Sequence, residues 1–213
     1  MNTYQYDLLT RLDFTRYGGT DAELKAANII LEEIEKAGGK GEIMDFKIPA
    51  YNLKKCSLKV TAPFEMELET VPYGLSGCLP EGGVDLKLVY LQKGTENDFY
   101  GVGDLSDSIV MLNELSFDAY KRMCEKNAAA FIVIDGKWYH NSENTDFFQR
   151  NLGEKMLENG KIPGFMIWAK DATELVRNHA EVLHLEQREK EKINRSRNVV
   201  ATIKGTVYNG ESI

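Results

Sequence analysis

Four side chains able to carry proton or metal chemistry fall within one short stretch, "DGKWYHNSENTD": Asp135, His140, Glu143 and Asp146. An imidazole among carboxylates can act as a general base or a metal ligand, and loops held by a scaffold often carry such groups. The spacing matches no metal-binding motif, so a structural or solvent-facing loop stands beside the ligand-site reading. Aromatic residues punctuate the same region: Trp138, Tyr139, Phe147 and Phe148. They either form an apolar patch for a partner or substrate, or fill the underside of the loop.

The other reactive groups are isolated. His179 and His184 flank a predicted helix end and a charged strand, where a solvated or dipole-facing imidazole is the ordinary outcome. Ser76 in "GLSGC" lacks the strand-to-helix context of a nucleophile elbow and has no His–Asp partner pattern. Gly18-Gly19 precedes a helix start that could attract an anion, but without a GxGxxG or Walker pattern it reads as a tight turn into a capped helix. Cys56, Cys78 and Cys124 are odd in number and far apart, which suggests free thiols rather than a disulfide framework or a cysteine zinc site. None of these supplies a hydrolytic centre, which needs several ligands at close quarters.

The elements that must position these groups are legible in part. In "TDAELKAANIILEEIEKAGGKGE", Thr20 caps a helix with Glu23 reaching back. Leu24, Ala27, Ile30, Leu31 and Ile34 fall on one stripe, and Gly38-Gly39 stops it. A strand carrying Ile43, Phe46 and Ile48 follows, closed by Pro49. Then come short alternating pieces, "KCSLKVTAP", "EMELETVPY" and "VDLKLVYLQKG", which suit half-buried antiparallel strands. Residues 109–112, a helix capped by Ser116, and residues 131–134 form a β-α-β unit, with Phe117, Tyr120, Met123 and Cys124 predicted to face inward. Residues 137–161 read as a polar loop, 164–168 as a strand and 172–179 as a short helix. The charged run "EQREKEKINRSR" reads as a solvated face or edge strand. The last apolar run, 199–203, leads to turn signals at Gly205 and Asn209-Gly210.

Composition narrows the class. With 213 residues, 43% apolar and 10% aromatic, the chain can bury a substantial core. A net charge of −7 with dispersed basic residues argues against nucleic acid or an anionic membrane as a partner. The start has no apolar signal-like segment and no apolar span is long enough for a bilayer, so a cytoplasmic location is expected.

Taken in order, "RYGGTDAELKAANIILEEIEKAGGK", "VYLQKGTENDFYG", "FDAYKRMCEKNAAAFIVIDG" with "KIPGFMI", and "SRNVVATIKGT" resemble zinc-dependent aminopeptidases of the glutamate carboxypeptidase-like family. Those enzymes carry a protease-associated domain inserted in the catalytic domain. The chain departs from the family pattern at Ser106-Asp107-Ser108 and at Asn127-Ala128, the latter a substitution that a left-handed helix stop tolerates. The resemblance implies an α/β (α+β) fold: a β-rich protease-associated domain with flanking helices, plus the first helix and two strands of a peptidase domain. It divides the chain into 1–50, 51–194 and 195–213, the insert lying in the middle. It further implies that the sequence stops before the metal-binding His and Asp, so that two zinc ions belong to a longer parent and none to these residues.

On that resemblance the chain is expected to be a non-catalytic lid shaping substrate access, with Trp138, Tyr139, His140, Phe147 and Phe148 facing a peptide substrate. A stand-alone protein-interaction module is the alternative. As a fragment, the chain would leave its sheet an exposed edge and an uncovered apolar face, which would favour self-association.

Overall fold

The structure, a computed structural model, describes residues 3–202. The turn signals at Gly205 and Asn209-Gly210 lie outside the described residues. By contact the chain separates into two units, residues 1–50 with 192–213 and residues 51–191. Their boundaries fall inside two long strands, β1 (Lys40–Ala62) and β8 (Val182–Thr202).

The first unit contains two helices, α1 (Tyr4–Arg11) and α2 (Asp21–Lys36). Thr20 Oγ1 accepts the Glu23 N–H at 3.3 Å, and the Glu23 carboxylate accepts the Gly19 N–H at 2.7 Å. The capping exchange therefore forms one residue further back than a standard box. Glu23 also receives the Ser196 hydroxyl and the Arg197 backbone and guanidinium, so the helix start is tied to β8. The anion that the Gly18-Gly19 turn attracts is thus the protein's own carboxylate. Helix α1, which the sequence pattern did not predict, is held by Glu33 of α2. That carboxylate accepts from the Tyr4 hydroxyl and Arg11, both at 2.5 Å, and from Lys36 at 2.8 Å. On the apolar stripe of α2, Ala27 is buried and Leu24, Leu31 and Ile34 are half-buried, but Ile30 is exposed. Leu31 and Ile34 lie where a Cβ on Gly41 would project.

One boundary differs from expectation. β1 runs through Pro49, because a proline removes one ladder hydrogen bond yet keeps an extended φ. The charged run is part of β8, which lies between β1 and β4 in the sheet order β2-β1-β8-β4-β5-β6-β7-β3, but β4 pairs only with Val182 to Leu185, and Arg188, Lys190, Glu191, Lys192 and Arg195 beyond that register are exposed, as a solvated strand requires.

The second unit is built on that sheet, with β2 (Met66–Glu67), β3 (Thr70–Tyr73), β4 (Val84–Tyr90), β5 (Ser108–Leu112), β6 (Ala130–Asp135) and β7 (Gly164–Trp168). β4, β5, β6 and β7 are mutually parallel, while β8 and β3 flank them antiparallel. The antiparallel reading of the early strands thus holds for β1 with β2 and for β4 with β8, but β4 is parallel to β5. Every residue of β5 and β7 is buried, the mark of strands covered on both faces. Ile109, Met111, Ile132 and Ile167 face one core with Ala172 and Leu175 of α5 (Ala169–Arg177). Val110, Leu112, Phe131 and Met166 face the other with Tyr120 and Met123 of α3 (Phe117–Glu125). Phe117 itself is exposed and Cys124 half-buried. Within the predicted loop 137–161 a short helix, α4 (Glu154–Leu157), is present.

Three helices end alike. Gly38, Asn127 and His179 adopt positive φ of 82°, 60° and 50°, and the next residue's N–H reaches back to Ile34, Met123 and Leu175 respectively, each at 2.9 Å. This is the left-handed stop with its six-to-one bond, and it gives His179 a backbone role. The mixed α/β fold read from the sequence is the observed one. Cys56, Cys78 and Cys124 are free thiols.

Candidate functional site

The loop that follows β6 is folded against the end of β7. Gly136 permits the approach: its φ is 72°, and a Cβ there would lie 2.8 Å from His140 Nδ1 and 3.0 Å from the Trp168 ring. His140 N–H donates to the Lys137 carbonyl at 2.9 Å and His140 Nδ1 accepts the Lys137 N–H at 3.2 Å, closing a tight turn. A neutral ring at this position carries its proton on Nε2.

From there a train of rings runs inward. Trp138 meets Tyr139 edge-on at 5.6 Å, Tyr139 meets His140 at 4.8 Å, and His140 meets Trp168 at 6.2 Å. Phe147 lies flat on Trp168, with centroids 3.7 Å apart. The Trp168 indole N–H donates to Glu69 at 2.7 Å, and Glu69 also accepts the Ser142 N–H and hydroxyl at 3.2 and 3.0 Å. Burial alone would raise the Glu69 carboxyl; the donors from Ser142 and Trp168 outweigh it and hold the group below its ordinary range. Asp135 fastens the far side, accepting the Phe148 N–H at 3.1 Å and facing Arg150 at 3.7 Å.

The five aromatic and imidazole candidates therefore divide. Trp138, Tyr139 and Phe148 are 77%, 49% and 69% exposed, whereas His140 and Phe147 are half-buried against Trp168. Lys137 and Arg150 sit over Tyr139 and Phe148 at 5.7 and 5.3 Å. The pairing of Trp168 with Glu69 has no local sequence signal, because 99 residues separate them.

The remaining candidates do not converge. His184 Nδ1 lies 2.8 Å from Asp85, and His179 terminates α5. Ser76 is fully buried and accepts the Gly164 N–H at 2.9 Å and the Gln187 amide at 3.0 Å, a staple between strands. Among the described residues no group of three or more His, Cys, Asp and Glu side chains could hold a metal ion. Zinc therefore does not fit the residues described.

No family model matches the chain, and no curated protein does. Solved structures do. A peptidase M28 precursor from Shewanella amazonensis SB2B superposes with a TM-score of 0.70 at 20% identity over 96% of this chain and 51% of its own. A zinc aminopeptidase from Bacillus subtilis gives 0.65 at 20% identity over 95% and 47%. An aminopeptidase from Aneurinibacillus sp. strain AM-1 gives 0.60 at 20% identity over 95% and 47%. The fold is that of these peptidases, and the chain spans about half the length of each.

Proposed function

We propose that this chain forms the non-catalytic, substrate-shaping portion of a zinc-aminopeptidase-type protein, with residues 51–191 acting as a protease-associated lid. The carrying observation is the coverage. Nearly the whole chain matches aminopeptidase structures, yet it matches only about half of each, and the described residues offer no metal centre. The lid would contribute substrate positioning and water exclusion rather than bond-making. The exposed Trp138, Tyr139 and Phe148 support a role at the substrate, because single-sided aromatic surfaces mark interaction sites. In the same reading two zinc ions reside in partner segments of the parent protein, and the three free thiols suit a reducing, cytoplasmic setting. Met44 and Phe46, 51% and 43% exposed at alternate positions of β1, support self-association of the chain in isolation.

The test is hydrolysis of leucine p-nitroanilide by purified residues 1–213 with and without zinc, together with the coding sequence beyond Ile213. We expect no hydrolysis, and a downstream strand followed by His and Asp. Zinc-dependent turnover by the chain alone would overturn the lid role. A stop codon at that point would transfer the chain to the interaction-module class.

A further inference from the structure

The turn at residues 74–78 is gripped from three directions. Gly74 N–H donates to the Arg150 carbonyl at 2.8 Å, and its own carbonyl accepts the Leu152 N–H at 2.9 Å, so the chain leaving the aromatic loop hangs on this turn. Ser76 Oγ accepts the Gly164 N–H at the start of β7. Gly77 is held by two side chains from one face of β8: its carbonyl accepts the Gln187 amide at 3.1 Å, and its N–H donates to Glu189 Oε1 at 3.3 Å.

The two side chains reach the same residue, and each keeps an unused oxygen. Gln187 Oε1 and Glu189 Oε2 are buried with no hydrogen-bond partner among the described residues. The Gly77 carbonyl can only accept, which fixes the Gln187 amide with its nitrogen toward the turn and its oxygen away. The surrounding groups supply no donor. Cys56 of β1 is a buried thiol bonded to Thr70, and Cys78 of the turn gives its thiol to the Glu189 carbonyl at 3.3 Å. Lys161, before β7, is paired with Glu191 of β8, and Arg188 and Lys190 are exposed on the other face of the strand. Two buried acceptors side by side leave polar atoms unsatisfied, and a charge on one of them would be buried unpaired. A single proton reconciles them, because a neutral carboxyl is a donor as well as an acceptor.

We propose that Glu189 is held as the neutral acid and gives its O–H to Gln187 Oε1, so that one proton latches the 74–78 turn to β8. Burial acts on the carboxyl in the same direction, raising it above the ordinary value of 4.5. As pH rises through the folded value the proton leaves, a charge appears beneath the turn, and the contacts to Leu152 and Gly164 loosen with it. The latch uses only groups of the second unit and stands whether or not the lid reading holds.

The test is NMR of the full chain, labelled at the glutamate side-chain carbons and titrated from pH 4 to pH 8, with the Glu189 signal assigned by its loss in Glu189→Gln. The carboxyl is expected to titrate above 4.5, and the Gln187 side-chain amide to shift with the same midpoint. Gln187→Leu separates the latch from burial alone. Removing the acceptor should weaken proton binding about 10-fold, whereas an apolar neighbour acting through burial would strengthen it. Protection of the Leu152 and Gly164 amides, relative to the intrinsic exchange rate, should fall as pH rises in the unaltered chain and stay level in Glu189→Gln, whose amide donates in the proton's place. Titration at or below 4.5, a Gln187 amide indifferent to it, or stronger proton binding in Gln187→Leu would overturn the proposal. So would a midpoint that drops when potassium replaces tetramethylammonium at constant ionic strength, which would put a cation where the proton is assigned.

Discussion

Phe147 and Trp168 stack with their planes 15° apart, and this contact, with the Ser142–Glu69 hydrogen bonds, seats the loop after β6 on the end of β7. Trp168 is fully buried beneath it and held by Glu69, so the loop rests on a fixed indole. Replacing Phe147 by Ala is expected to cost about 2 kcal/mol, part lost apolar burial and part lost ring stacking. A red shift of the Trp168 fluorescence should accompany it. Trp138→Ala, at an exposed ring, should change stability by no more than about 0.5 kcal/mol. Urea unfolding of the two variants separates the supporting ring from the presented one.

Ser76→Ala should destabilise the second unit by about 2 kcal/mol, because the buried Gly164 N–H loses its acceptor. Gln187 retains the Gly77 carbonyl at 3.1 Å and so suffers less. Unfolding midpoints would show the loss; a variant as stable as the parent would mean that another acceptor, such as water, reaches Gly164.

Acid should release α1. Three donors, Lys36 first and then Tyr4 and Arg11, lower the Glu33 carboxyl to about 2. A depressed carboxylate contributes stability above its ordinary value, 4.5, that is lost as pH falls through the folded value near 2. Protection of the amides of residues 4–11, measured relative to the intrinsic exchange rate at each pH, should therefore fall between pH 4.5 and 2. Glu33→Gln should produce the same loss of protection at pH 7.

Glu189 titrates in the opposite sense. Burial raises its carboxyl despite the N–H groups of Gly77 and Leu75, and its Oε2 is buried without a partner. The folded chain holds this proton more tightly than the unfolded chain, so the contribution is fullest below the ordinary carboxylate range and is lost as pH rises. Glu189→Gln should raise the urea midpoint at pH 7 and change it little at pH 4.

What could be read from the sequence was whatever is encoded locally. Thr20 and Ser116 announce helix starts by side chains that accept the N–H three residues on, and Asn127 announces a stop by tolerating positive φ. The all-apolar runs of β5 and β7 announce strands covered on both faces. Helix α1 carries no such local signal: no side chain caps it and none of its residues is buried; Glu33, in another helix, holds it. The candidate surface was half legible for the same reason. Trp138 and Phe148 advertise themselves by type and loop context. That His140 and Phe147 turn inward depends on Trp168, whose position is fixed only once β7 is in the sheet.

The three thiols differ in a way that an experimenter can use. Burial pushes Cys56 up to about 12 and raises Cys124, which keeps both in the unreactive protonated form at neutral pH. Cys78 is exposed, with its sulfur beside the Glu189 backbone at 3.2 Å, two residues along from the Ser76 staple. A maleimide dye at neutral pH should therefore attach at Cys78 alone. The unaltered chain thus carries a built-in reporter at the turn where Gln187 and Glu189 grip the 75–78 segment, so the effects of acid or substitution at that turn can be followed by light without engineering a cysteine.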